Sequence, residues 1–283
     1  MKKFAAFLLV FLAIVFVIAF YVVRGQLQDD AIPLVQNFGG DSVMFIFPHP
    51  DDEITCAGTL RILEDQGVTT TLITLTKGEA GDSNGMVNES NPQKRKGLLG
   101  EIRRKELLAA GKLLGVDHQE VLDFPDSGMN DIPAESIKAA IRERIAKYNP
   151  SVLVSYDDAV GLYGHIDHRL TARYVKEIFL EDREYSAFSA RKLYQVTLPQ
   201  PMIRVALKIS KFFQENYPKD PSRGLPMPTI AIRITSVGKY KRDAMLLHAS
   251  QRQTFDDMQP FFDKLPPALY YRIFDREYFA AVQ

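Results

Sequence analysis

The sequence predicts an α/β fold: a Rossmann-like three-layer domain with a mostly parallel sheet, preceded by one N-terminal transmembrane helix. Three observations support this. Short apolar or β-branched runs alternate with longer helical segments, polar or Gly-rich stretches separate them, and an unbroken apolar run opens the chain. Strands that alternate with helices form βαβ units, in which the strands run parallel and the helices cover the sheet.

Composition and charge describe a globular protein without a basic face. Of the 283 residues, 46% are hydrophobic and 25% are charged, which is typical of a chain with a real core. Lys and Arg together number 35, as do Asp and Glu, so the net charge is zero and we expect no nucleic-acid partner. The single cysteine, Cys56, excludes an internal disulfide framework.

The N-terminal apolar run extends over residues 4–23 and is flanked by Lys2, Lys3 and Arg24. Its length matches the roughly 20 residues that cross a bilayer. A cleavable signal peptide is the alternative, but its apolar core is usually about 7–15 residues long and ends in a small-x-small site. We therefore expect a transmembrane anchor over 1–24. The positive-inside rule then places the N-terminus in the cytoplasm and the rest of the chain outside it.

The predicted elements follow in order after a polar linker over 25–40. Residues 43–47 form a continuous apolar run, the pattern of a strand buried on both faces. Residues 69–76 are rich in β-branched side chains and predict a second strand. Gly67 and Gly115 end the helices predicted over 54–66 and 98–114. Further strands are expected over 120–124, 151–155 and 191–197, and further helices over 132–148 and 167–180.

The proline-rich stretch 199–228 carries one amphipathic helix, over 202–217, and is interpreted as an insertion. Strand and helix resume from 229 to 251, and a C-terminal tail follows. The globular domain is therefore predicted to span 41–283.

The first chemistry-bearing motif is the hexapeptide Pro-His-Pro-Asp-Asp-Glu at 48–53, directly after the first predicted strand. Ligands of open parallel sheets bind at the carboxyl ends of the strands. His49 and Asp52 are three residues apart across a turn, so both can reach one ion. Asp51 lies between them and can point toward a water molecule.

The second motif, over 161–168, follows the fourth predicted strand and contains His165 and His168. Either motif alone is as compatible with a surface turn or a hydrogen-bonded core histidine as it is with a metal site. Together they hold three of the five histidines and supply two imidazoles and one carboxylate, the usual set for catalytic zinc with a fourth position for water. We predict a metal site, with zinc favoured and another divalent ion, such as iron or cobalt, left open.

These motifs, taken in order, resemble the PIG-L/LmbE-like family of zinc-dependent N-acetylglucosaminyl deacetylases. The resemblance extends over 43–168. It includes Thr-Lys-Gly-Glu-Ala-Gly at 76–81, Arg103-x-x-Glu106 and Gly-His-x-Asp-His at 164–168, and a later His-x-Ser-Gln at 248–251 is similar to the family's late helix. One departure is Ile166, where the family usually has proline.

The resemblance implies a role for each matching residue. The metal ligands would be His49, Asp52 and His168, and the general base would be Asp51. Stabilisation of the oxyanion or protonation of the leaving amine would fall to His165, held charged and oriented by Asp167. On the substrate side, Arg103 would steady the substrate or Asp51, and Glu79 would line the sugar site.

Amide hydrolysis needs a strong nucleophile, a base, oxyanion stabilisation and an acid for the amine, and this set of residues covers those needs. We therefore expect a zinc-dependent hydrolase that removes an acetyl group from an N-acetylated sugar. Two alternatives stay open: a metal-dependent amidase on a non-sugar or thiol-conjugate amide, and a non-catalytic glycan-binding module. The Gly-rich loop 78–85 is compatible with a substrate-lining lid and equally with a flexible surface loop.

Overall fold

The computed structural model describes residues 2–220 and 223–283. In these residues eight strands form one sheet, in the order β1-β7-β8-β6-β5-β2-β3-β4. The strands are β1 (Leu34–Val35), β2 (Ser42–Phe47), β3 (Thr69–Thr76), β4 (His118–Phe124), β5 (Val152–Ser155), β6 (Lys192–Thr197), β7 (Ile230–Arg233) and β8 (Arg276–Ala281).

The sheet is mostly parallel, as predicted. Parallel pairing joins β4, β3, β2, β5 and β6 in succession, and β1 pairs parallel with β7. The exception is β8, which lies antiparallel between β6 and β7. From the sequence alone this segment is expected to be a C-terminal tail, because its place in the sheet depends on strands distant in the sequence.

Helices cover both faces of the sheet. They are α1 (Lys2–Leu27), α2 (Ala57–Asp65), α3 (Pro92–Leu114), α4 (Ala134–Tyr148), α5 (Gly161–Gly164), α6 (Ile166–Asp182), α7 (Gln200–Ile209), α8 (Lys211–Asn216), α9 (Gly238–Leu247), α10 (Arg252–Met258) and α11 (Pro267–Ile273). The long helix α3 begins where the Asn91 side chain accepts a hydrogen bond from the Lys94 N–H, and it ends at Gly115 with a φ of 84°.

Alternation along β2 divides the core into two layers. Phe45 and Phe47 pack on one face of the sheet, in the cluster that contains residues of α2, α3 and α9. Met44 and Ile46 point to the opposite face and pack with residues of α4 and α6. All four side chains are fully buried, which is why the strand is apolar throughout.

The predicted transmembrane anchor over 1–24 is wrong. Among the residues that the structure describes, no helix combines the length and apolar character that a membrane crossing requires. The predictions of a single-pass membrane protein, a membrane partner and an extracytoplasmic catalytic domain, which depended on the anchor, fall with it. The end of α1 instead contacts α7 and α11, Leu27 is buried, and Arg24 lies 3.0 Å from the carboxylate of Asp275. Run length alone does not distinguish these protein contacts from contacts with lipid.

Two other predicted segments carry secondary structure. The segment predicted as a linker contains the last turn of α1 and strand β1, which pairs with β7 through Leu34 and Ala231. The segment 199–228 contains α7 and α8, which are separate helices because the backbone of Ser210 is extended. Its interpretation as an insertion stays a prediction.

Candidate metal centre and active site

Two loops that are distant in the sequence meet at the carboxyl edge of the sheet. One follows β2 and the other follows β5, and these two strands are hydrogen-bonded neighbours. His49 and Asp52 come from the first loop and His168 from the start of α6, and all three side chains are buried. The structure therefore brings together the three residues predicted as metal ligands.

Their potential ligand atoms lie close together. His49 Nδ1 is 3.3 Å from His168 Nε2, which is 3.2 Å from one carboxylate oxygen of Asp52. The other Asp52 oxygen is 3.5 Å from His49 Nδ1. Zinc–ligand bonds of about 2.0–2.1 Å at tetrahedral angles separate two ligands by roughly 3.3–3.4 Å. The two imidazole nitrogens lie at this separation, and each faces a different oxygen of the Asp52 carboxylate, so the trio could hold one ion.

Other groupings of potential ligand atoms also lie at this site. Ligand atoms of His49, His165 and His168 lie within 4.8 Å of one another, as do those of His49, Asp126 and Asp167. The choice of Asp52 as the third ligand stays a prediction.

The second ring nitrogen of His168 is fixed by the backbone. Nδ1 lies 3.0 Å from the carbonyl oxygen of Gly161 and donates to it, so the Nε2 lone pair faces the metal site. The ring of Tyr156 stacks on that of His168 with centroids 4.4 Å apart, and its hydroxyl donates to Asp52 at 3.0 Å. Tyr156 thus orients two of the three predicted ligands, a role that the sequence analysis missed.

The second nitrogen of His49 faces two carboxylates. Nε2 lies 3.2 Å from Asp126 and 3.2 Å from Asp167. Burial lowers the pKa of His49, but hydrogen bonds to Asp126, Asp167 and Asp52 outweigh it and raise this pKa well above its usual value. Carboxylates at Nε2 hold the proton there and leave Nδ1 for a metal. Asp126 was missed, although an acid two residues beyond β4 lies at the same sheet edge.

Asp51 lies outside the ligand trio. It has a φ of 101°, a left-handed conformation that non-glycine residues adopt mainly at turns and functional sites. One carboxylate oxygen lies 3.2 Å from the Arg103 guanidinium. Burial, and the nearby charge of Asp52, raise the pKa of Asp51 to about 6 against the opposing effect of Arg103.

Arg103 is buried and held by backbone carbonyls. Its guanidinium donates to the oxygen of Gly78 at 2.7 Å and to that of Pro50 at 2.5 Å. A Cβ added at Gly78 or Gly81 would come within 2.5 or 2.7 Å of this guanidinium, so both positions require glycine. The Gly-rich loop therefore packs directly against Arg103.

Glu79 fastens that loop to the Asp126 loop. Its carboxylate accepts from the Asp126 N–H at 2.9 Å, and the Asp126 carboxylate accepts from the Ala80 N–H at 2.8 Å. Because the Asp126 carboxylate also contacts His49, these two hydrogen bonds connect the Gly-rich loop with the His49 ring. That Glu79 also lines the sugar site stays a prediction.

His165 begins α6 and is held as a neutral donor. Its Nδ1 accepts the Asp167 N–H at 3.2 Å, which leaves the ring proton on Nε2. Burial and the positive charges of His168 and His49 lower the pKa of His165 to about 4. The carboxylate of Asp167 accepts from the Ser127 N–H at 2.8 Å and contacts His49, rather than the ring of His165 as the resemblance implied.

Two buried acids join the first loop and α3 to the late motif. Glu53 accepts from the Asp51 N–H at 2.9 Å and forms an ion pair with His248. Glu106 accepts from the N–H of Ser250 at 2.9 Å and from its hydroxyl at 2.6 Å. These motif residues lie away from the predicted metal site, and their contacts hold together the segments that form it.

Sequence comparisons agree with these motifs. A family model described as "PIG-L: GlcNAc-PI de-N-acetylase" matches residues 44–179. A 1D-myo-inositol 2-acetamido-2-deoxy-alpha-D-glucopyranoside deacetylase from Thermobifida fusca is 30% identical over 237 residues, which cover 74% of this chain and 82% of the relative. The enzyme of the same name from Nocardiopsis dassonvillei is 32% identical over 238 residues, covering 74% and 83%.

Solved structures share the fold. The N,N'-diacetylchitobiose deacetylase from Pyrococcus horikoshii has a TM-score of 0.61 at 21% identity, covering 86% of this chain and 84% of its own. GalB, the 4-carboxy-2-hydroxymuconate hydratase from Pseudomonas putida, also has a TM-score of 0.61, at 18% identity, covering 86% and 96%. A hydratase and a deacetylase on one fold show that the fold alone does not determine the reaction.

The extent of the match to the two deacetylases, together with the motifs in order, confirms the predicted resemblance: this chain belongs to the PIG-L family.

Proposed function

We propose that this chain is a zinc-dependent hydrolase that removes the acetyl group from the amide nitrogen of an N-acetylglucosamine-containing substrate. As a member of its family the chain is an N-deacetylase, an amide hydrolase. The observation that carries the zinc proposal is the trio of His49, Asp52 and His168, whose ligand atoms lie 3.2–3.5 Å apart.

The three predicted ligands suit zinc because they are two imidazoles and one carboxylate. Each is held in its orientation by a further hydrogen-bonding partner. When bound, the ion supplies a water molecule of lowered pKa and polarises the acetyl carbonyl. The residues around it then have to move protons and stabilise charge.

Asp51 takes the proton of the attacking water on its carboxylate, which Arg103 holds in place at 3.2 Å. His165 donates its Nε2 proton in a hydrogen bond to the carbonyl oxygen as that oxygen gains negative charge. The protonated Asp51 then gives its proton to the amide nitrogen and the C–N bond breaks. Acetic acid and the free amine leave, and the acid ionises to acetate.

The names of the relatives support the sugar half of the substrate. The relatives from Thermobifida fusca and Nocardiopsis dassonvillei are named for an acetamido-glucopyranoside joined to inositol. A more partial match from Bacillus cereus is named for an N-acetyl-glucosaminyl malate. N-Acetylglucosamine is common to them while the aglycone varies.

Acetate release from methyl N-acetyl-α-glucosaminide by chelator-treated protein, before and after addition of zinc, tests the proposal. We expect no release without metal and recovery with zinc. A matched panel of N-acetylated amines and thiol conjugates without a sugar serves as the control. Turnover of that panel with none of the glucosaminide would contradict the sugar assignment, and zinc binding without any turnover would contradict the hydrolase.

A further inference from the structure

An apolar cavity of about 420 Å³ lies at the same edge of the sheet as the candidate metal centre. Its floor is formed where β6 and β7 end and β8 begins, with Leu198, Ile234 and Tyr278 in the lining. Its roof is formed by the end of α1, with Leu27, and by α7, with Ala206. Ligands of open sheets bind at this edge, and a volume of roughly 300–1,000 Å³ is that of a small-molecule site.

The cavity touches both loops that carry the predicted metal ligands. Thr55 lines it, and its hydroxyl donates to the Asp52 carbonyl oxygen at 2.7 Å. Leu162 lines it from the other loop, directly after Gly161, whose carbonyl fixes the ring of His168. Leu162 has a φ of 70°, which is strained for a branched side chain, and it is nevertheless buried at this position.

Both cations in the lining, Lys241 and Arg276, form ion pairs with carboxylates. Lys241 lies 2.6 Å from Glu277, and Arg276 lies 2.8 Å from Asp275. The Asp257 carboxylate accepts from the Ser210 hydroxyl at 2.6 Å. Because the cations already have carboxylate partners, the cavity is suited to an uncharged, apolar ligand rather than to an anionic headgroup.

We propose that this cavity receives the apolar aglycone of the substrate, an alkyl or acyl chain, while the N-acetylglucosamine lies at the metal centre. This inference rests on the proposed function, since it assigns the part of the substrate beyond the sugar. A substrate lying along the carboxyl edge of the sheet would place its sugar over β2 and β5 and its chain over β6, β8 and β7. The segment 199–228, which supplies α7, would then select the aglycone.

Chain-length dependence tests this assignment. The substrates are methyl, butyl and octyl N-acetyl-α-glucosaminides, used below micellar concentration with the zinc-loaded full chain. Each buried methylene can raise kcat/KM up to about fourfold, and we expect octyl to exceed methyl by at least about tenfold.

Two variants on one helix turn locate the effect. Ala206→Phe fills the cavity from α7, whereas Leu207→Phe changes an exposed neighbour, 39% accessible, that does not line it. We expect Ala206→Phe to lower the octyl preference at least about fivefold while methyl turnover persists, and Leu207→Phe to retain the preference. Met202→Phe, another lining position on α7, provides a second variant if Ala206→Phe fails to fold.

Binding of N-phenyl-1-naphthylamine, an uncharged fluorophore that brightens in apolar surroundings, gives a readout independent of catalysis. Saturable binding that octyl glucosaminide displaces, and that Ala206→Phe but not Leu207→Phe weakens, would support the cavity. Equal turnover of methyl and octyl substrates would overturn the aglycone assignment and leave the deacetylase proposal standing. If no glucosaminide is turned over the proposed function fails, and absence of displaceable fluorophore binding overturns the cavity separately.

Discussion

The imidazole Nε2 of His49 lies 3.2 Å from a carboxylate oxygen of Asp167, although 118 residues separate them in the sequence. His49 is a predicted metal ligand from the first loop, and Asp167 directly precedes the predicted ligand His168 of the second. The contact therefore links the two loops directly through their side chains, in addition to the ion that they are proposed to share. It makes Asp167, which is fully buried, an orienting residue for His49.

Asp167→Asn should weaken zinc binding. The substitution keeps the size of the side chain but removes the charge that holds the His49 proton on Nε2, and loss of such a partner costs about 10–100-fold in metal affinity. Competition with a chromogenic chelator measures the zinc Kd. Asp123→Asn, at a side chain that is 85% exposed, is the control and should leave it unchanged. Equal Kd values for Asp167→Asn and the wild type would refute this role.

Asp51→Asn should retain zinc and lose most of its activity. Asp51 is outside the ligand trio, so the metal affinity should change little, whereas loss of a general base costs about 10²–10⁴-fold in kcat. Acetate release and zinc content are measured on the same preparation. A fully active Asp51→Asn protein would rule out the proposed base.

Gly78→Ala should impair catalysis through Arg103. The new Cβ would come within 2.5 Å of the guanidinium and displace it from Asp51, and the backbone φ of 67° adds strain. Gly85→Ala is a matched control, because its φ is 75° but nothing lies within 4 Å of the added Cβ. Each substitution should cost about 1–2 kcal/mol in free energy of unfolding from backbone strain. A large loss of kcat is expected for Gly78→Ala alone, and equal losses at both positions would contradict the contact with Arg103.

Lys241→Met should destabilise the fold strongly. Lys241 and Glu277 form a buried ion pair, and Glu277 also accepts from the N–H groups of Gly58 and Thr59 at 3.0 and 2.8 Å, at the start of α2. Removing one partner leaves a buried charge uncompensated, at a cost of about 3–5 kcal/mol. Urea denaturation measures the free energy of unfolding. Lys241→Met combined with Glu277→Gln should recover part of the loss, and a loss below about 1 kcal/mol in the single variant would contradict the burial of this pair.

The parts of the site that were predictable follow from the order of strands and motifs. Parallel strands direct their carboxyl ends to one edge, so loops after β2 and β5 had to approach each other if both strands were central. This reasoning anticipated that the two motifs would meet, and the family resemblance then selected His49, Asp52 and His168 as the ligands. The same reasoning applies to Asp126 after β4 and to Tyr156 after β5. A single acid or tyrosine is too common after a strand, however, to be identified as a site residue.

The remaining differences depend on tertiary contacts that local patterns do not carry. Strand β8 has no sequence feature that indicates its antiparallel place between β6 and β7. The apolar residues at the end of α1 contact α7 and α11, which a hydropathy window cannot distinguish from lipid contact. The orientation of the Asp167 carboxylate toward His49 depends on how the first turn of α6 meets the loop after β2.

Zinc stoichiometry by elemental mass spectrometry, on the wild type and on His168→Ala after dialysis against equal free zinc, shows whether donors from two distant loops share one ion. We predict one zinc per wild-type chain and close to none in His168→Ala, since that variant removes one of three protein ligands. A His168→Ala protein that retains one zinc per chain with wild-type affinity would contradict the account.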